Sequence, residues 1–218
     1  MAYDLEDGER AVKVGAYRHA FEIFMMLCEN GEDPAFYKST EMALNDQLTP
    51  DERSRLLHFL EKQVKHHNKE ATFNLAILYW RVLAMQDLEK AVELLQICCR
   101  NSMARAFLAL ARLFMGDGMN LPGATPETIL KLLADGFAAG SIECAWLIAK
   151  LHLDGRYLHK DDQVAFKWLF IAGRLGHLEA RKHALMMQGL YPNGTFRYVQ
   201  DEAIDLIEKL EGRMIRFE

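Results

Sequence analysis

Apolar positions recur along this chain at three-to-four spacing, which predicts helices, and the helical segments come in pairs. Setting Gly31, His67, Ser102, Gly140 and Gly176 in one column gives successive steps of 36, 35, 38 and 36 residues. A period in this range predicts stacked helical hairpins. The neighbours of the column repeat as well. Nine positions after the mark stand Thr40, Ala76, Ala111 and Ala149, and three positions further a ring follows as Tyr79, Phe114 and His152. Eleven positions before the mark stand Ala20, Leu56, Ala91, Ile129 and Ala165; eight before it stand Ile23, Phe59, Leu94, Leu132 and Trp168.

Small and large columns on paired helices have a packing reason. Two helices approach closely where one presents Ala or Gly, and a ring or Leu from the other fills the space beside it. Truncating a ring such as Trp168 to Ala is expected to cost roughly 3–5 kcal/mol. Gly140 and Gly176 are placed to end helices in the left-handed conformation without steric cost. His67 and Ser102 break the glycine rule, so turns of a different build are expected there.

One unit carries a specific resemblance. It reads Gly140-Ser-Ile-Glu-Cys-Ala-Trp-Leu-Ile-Ala149-Lys-Leu-His-Leu-Asp-Gly155, then a loop to Asp161, then Ala165-Phe-Lys-Trp168-Leu-Phe-Ile-Ala172-Gly-Arg-Leu-Gly176. This resembles the Sel-one-like repeat, a relative of the tetratricopeptide repeat. Gly155, Lys160, Asp161, Ala165, Trp168, Ala172 and Gly176 match its pattern. Cys144, Ala149, His152, Tyr157 and Gly173 depart from it. The resemblance extends over residues 67 to 185, with a longer Gly/Pro loop from Gly116 to Pro126. Residues 2 to 29 read as a divergent opening hairpin. The resemblance implies an all-α fold, a right-handed α-α superhelix of about five helical hairpins plus a C-terminal capping helix. One repeat domain is expected over 1–218, with divergent repeats in 1–66, clear ones in 67–194 and the cap in 195–218. In the cap, Val199, Ala203, Leu206, Ile207 and Leu210 share one helical face, with Met214, Ile215 and Phe217 expected along the end.

Composition changes this picture little. Of 218 residues 50% are hydrophobic and 26% charged, with 5 Pro, which suits an all-helical protein with one continuous core. A net charge of −5 argues against a general nucleic-acid binder, which needs a basic surface to release counterions. The acidic opening and the lack of a long apolar run imply no targeting segment, no membrane span and a cytoplasmic location.

Chemistry-bearing residues yield no catalytic pattern. Cys28, Cys98, Cys99 and Cys144 lack disulfide or metal spacing and read as small core residues. Exported relatives place a cysteine pair in every unit, which this chain does not. His66, His67, His152, His159, His177 and His183 show no ligand spacing; His177 and His183, six apart, are expected to diverge on a helix, and His152 to be a hydrogen-bonded packing residue. The expectation is no metal and no cofactor. Gly116-Asp-Gly118 and Gly189 to Gly194 are turn chemistry, not phosphate cradles, and Asp161-Asp162 cap a helix.

The surface of the array remains. First helices line the concave side of tetratricopeptide-like arrays, and the resemblance places Asn74, Arg81, Arg112, Lys150 and His183 there. Four of the five can donate to an anion, which points to an acidic or carboxylate-bearing peptide segment. The expected function is a bacterial-type protein-binding scaffold or adaptor without catalysis. An enzyme hosted on the repeat scaffold and a self-assembling structural protein are the alternatives.

Overall fold

The structure, a computed structural model, describes residues 3–214 and their side chains as far as 209. Among the described residues every regular element is a helix, and the chain divides into two compact units, Met1–Asn101 and Ser102–Glu218. In the first unit α1 (Leu5–Lys13) packs on α2 (Tyr17–Glu29), and α2 on α3 (Asp33–Leu44). There α5 (Lys69–Arg81) packs on α3, on α4 (Pro50–Lys65) and on α6 (Leu88–Arg100), with one 3-10 turn at Leu83–Met85. In the second unit each helix packs on the next through α7 (Ala104–Met115), α8 (Pro126–Ala138), α9 (Ile142–Asp154), α10 (Asp162–Arg174) and α11 (Leu178–Leu190). The last helix, α12 (Arg197–Met214), packs back on α10.

Helix starts follow local capping chemistry. Asp4 and Thr49 form reciprocal capping boxes with Asp7 and Glu52, satisfying backbone donors that the first turn leaves open. Asn68, Asp87, Thr125 and Asp161 each accept a backbone N–H at the head of α5, α6, α8 and α10. The capping role expected of Asp161 is therefore observed.

The turns at the five marks share one conformation, which corrects the expectation for His67 and Ser102. Their φ angles are 82° at Gly31, 59° at His67, 56° at Ser102, 102° at Gly140 and 105° at Gly176. At four of them the closing bonds match: the mark's N–H reaches back three residues and the next N–H five, as in His67 to Val64 and Asn68 to Gln63, both to carbonyl oxygens. Helix-end geometry overrides the preference of His and Ser, which occupy the left-handed region at a cost of about 1–2 kcal/mol.

Burial separates the columns. Ala20, Leu56, Ala91 and Ala165 are 0% exposed, and Thr40, Ala76, Ala111 and Ala149 are at most 2% exposed. The large column is looser: Ile23 is buried, while Phe59, Leu94, Leu132 and Trp168 are half-buried at the rim. Trp168 meets Phe137 edge to face at 5.3 Å. Thr40, the one hydroxyl in the small column, has a buried Oγ1 without a hydrogen-bond partner among the described residues.

Two glycines set helix approach in the second unit. A Cβ on Gly136 would lie 2.7 Å from Cys144 Sγ, and one on Gly173 would lie 2.9 Å from Arg181 Cα. Gly173, a departure from the repeat pattern, is thus the point where α11 rests on α10. The segment before α12 is anchored by Phe196, buried and stacked on Phe166 at 4.2 Å, and by Gln163, whose side chain donates to the Thr195 carbonyl at 3.1 Å. Lys167 pairs with Glu202 at 2.6 Å, and the Tyr191 hydroxyl donates to Asp162. On α12, Ala203 and Ile207 are buried and Val199 and Leu206 half-buried, while the side chains of Leu210 and Met214, together with Ile215 and Phe217, lie outside the described residues.

Candidate functional site

The five expected donors fall in both units, Asn74 and Arg81 in the first and Arg112, Lys150 and His183 in the second. Asn74 is not available to a partner. It is 1% exposed, and its amide donates to the Glu70 carbonyl at 2.9 Å, because its position lies on the buried stripe with Ala71, Leu75 and Leu78. Arg81 is exposed at the end of α5, with its guanidinium 5.2 Å from the Trp80 ring centre. Arg112 is exposed on α7, and its positive charge acts on the buried Cys144 thiol, opposing the upward push that burial gives it.

Lys150 and His183 converge on a residue that repeat periodicity does not single out. Trp146, half-buried on α9, has the His177 ring stacked at 4.9 Å, the His183 ring tilted at 5.1 Å and the Lys150 ammonium 5.9 Å from its centre. The expected divergence of His177 and His183 is corrected here. His177 is not in the helix but caps it, with Nδ1 accepting the Ala180 N–H at 3.1 Å, so helical spacing does not fix its direction. That bond leaves the ring proton on Nε2, which faces a Glu143 carboxylate oxygen at 3.4 Å. At the outer edge the Lys182 ammonium, 2.7 Å from Glu179, holds that carboxyl below its usual range.

The packing readings of His152 and of the cysteines agree with their contacts and burial. His152 Nδ1 lies 3.1 Å from the His159 carbonyl oxygen, within hydrogen-bond reach. Cys28, Cys98 and Cys144 are buried, Cys99 is half-buried, and none is in a disulfide. Burial pushes the Cys28 thiol up to about 12, far from the range of a reactive thiolate. Among the described residues no three His, Cys, Asp or Glu side chains gather where a metal ion would sit, and no helix is long and apolar enough to cross a membrane.

Indole, imidazoles and ammonium together make an aromatic platform edged by one cation and by hydrogen-bond donors. Such a surface accepts carboxylates at its edge and apolar stems on its face. Its sequence signal is the ring itself: Trp146 stands one place after Ala145 in an otherwise aliphatic run, and nothing in the letters marks it as half-buried.

No protein-family model matches this chain, and no curated protein matches it in sequence. Solved structures do match. One is a protective antigen present in uropathogenic Escherichia coli strains displaying an SLR fold, with a TM-score of 0.62 and 14% identity over 91% of this chain. Another is a Sel1 repeat protein from Oxalobacter formigenes, with a TM-score of 0.59 and 14% identity over 96% of this chain. The chain spans 44% of the length of the first and 84% of the second. It therefore has the all-α repeat fold of the Sel1-repeat, or SLR, proteins.

Proposed function

We propose that this chain is a non-catalytic protein-binding scaffold or adaptor of the cytoplasm that takes an acidic peptide segment on the Trp146 surface of its second unit. The observation that carries the reading is the half-exposed indole bordered by His177, His183 and Lys150. Arg112 adds a further exposed cation in the same unit, and Arg81 offers a separate one in the first. A rigid aromatic platform with donors at its edge binds side chains at low entropic cost. Four unbridged cysteines suit a reducing compartment.

The test is calorimetry against a library of acidic peptides, with a binder then measured on Arg112→Ala/Lys150→Ala/His183→Ala and on Trp146→Ala. Each charge-assisted contact is worth about 1.5–3 kcal/mol, so the triple variant is expected to weaken binding at least tenfold. Unchanged affinity in both variants removes the proposal.

A further inference from the structure

A second surface of the same unit has different chemistry. α11 and α12 each pack on α10, and the space between them is a groove of about 320 Å³. Its walls include Phe170, Leu185 and Ile207, and it is also lined by Arg174, Arg181 and Gln188. Leu185 is 60% exposed, although the equivalent positions Ala76, Ala111 and Ala149 are 0% exposed. Both arginines are exposed, and neither has an ionic or hydrogen-bonded partner among the described residues. Their closeness is built in, since the backbone of α10 at Gly173 meets that of α11 at Arg181.

The combination selects its occupant. The apolar side chains in the walls gain from a large apolar side chain laid against them, with about 25 cal/mol per Å² of surface removed from water. Two unpaired guanidiniums at the edge favour carboxylates, each able to take a bidentate pair, and repel a basic segment. We propose that this groove binds a partner-protein segment in which a bulky apolar residue is flanked by Asp or Glu. The site is independent of the Trp146 surface. His183 and Arg181 stand two residues apart, about 200° around α11, and so face nearly opposite ways.

The probe is the peptide Ac-Glu-Glu-Leu-Phe-Glu-Glu-NH2, with Ac-Lys-Lys-Leu-Phe-Lys-Lys-NH2 as control, titrated into the nitrogen-15-labelled 218-residue chain and followed by amide chemical shifts. The acidic peptide is expected to shift the amides of Gly173, Leu185 and Gln188 saturably, and the basic one not to. Arg174→Glu/Arg181→Glu is expected to raise Kd about tenfold or more, and Leu185→Asp to abolish the shifts. These positions are exposed, so the variants keep the core, which a thermal melt checks. Trp146→Ala is expected to leave the groove shifts in place, separating this site from the proposed acidic-peptide surface. The inference is overturned by equal response to both peptides, by shifts confined to the Trp146 neighbourhood, or by an unchanged Kd in the charge-reversed variant. It is also overturned by groove shifts that depend on protein concentration without peptide, which would assign the groove to a second copy of the chain.

Discussion

The α9/α10 and α11/α12 pairs begin alike and end differently. Each first helix has 13 residues and follows a glycine in the left-handed region, Gly140 or Gly176. In the first pair Ala149 is 0% exposed and α10 lies closely on α9; in the second the same column holds Leu185, 60% exposed, and α12 crosses to α10 instead. Local signals set where a helix starts and stops, and the size of the column residue accompanies a change in what packs beside it.

The largest test of this contrast is Phe166→Ala. It empties a fully buried site and removes the ring on which Phe196 stacks, so a loss of about 3–5 kcal/mol is expected in urea unfolding. Gly173→Ala comes next, because the new methyl would meet backbone rather than a flexible side chain; about 1–3 kcal/mol of destabilisation is expected. Ala149→Leu should cost a similar 1–3 kcal/mol by overpacking, whereas Leu185→Ala should stay within about 0.5 kcal/mol. Equal effects at 149 and 185 would dissolve the contrast.

Smaller effects sharpen it. Thr40→Val keeps the shape of the side chain and removes the unpartnered hydroxyl, with a gain of about 1 kcal/mol expected in the same assay. Ser102→Gly relieves a left-handed non-glycine and should raise stability by about 0.5–1 kcal/mol, with Gly140→Ala moving the other way. The smallest signal is acid-dependent. The Lys167 ammonium beside Glu202 holds its carboxyl below the usual carboxylate range, so its contribution is full above the ordinary glutamate pKa and fades as pH falls through the lowered one. Glu202→Gln should flatten that part of a melting-temperature profile.

Much of the fold was legible because repetition multiplies weak signals. The small column at Ala76, Ala111 and Ala149 and the cap at Asp161 can be read from the sequence. His67 and Ser102 depart from the glycine-based expectation because the backbone at a helix end imposes its own conformation whatever the residue type. The site was less legible. Lys150 and His183, expected on the inner wall, both lie against Trp146, whereas Asn74 is internal, and spacing singles out neither Trp146 nor the cap at His177. A half-exposed tryptophan looks like a core one in a string of letters, and a capping side chain escapes helical geometry.

The position of α10 has a kinetic corollary. Covered by α9, α11 and α12, it is the element of the second unit with the most neighbours to displace before water reaches its amides. Loss of α12 alone leaves two of those covers in place. Hydrogen–deuterium exchange along Phe166, Leu169, Ile171 and Ala172, all 0% exposed, should therefore be the slowest in the unit and should read its global opening, while α12 exchanges through its own smaller excursions.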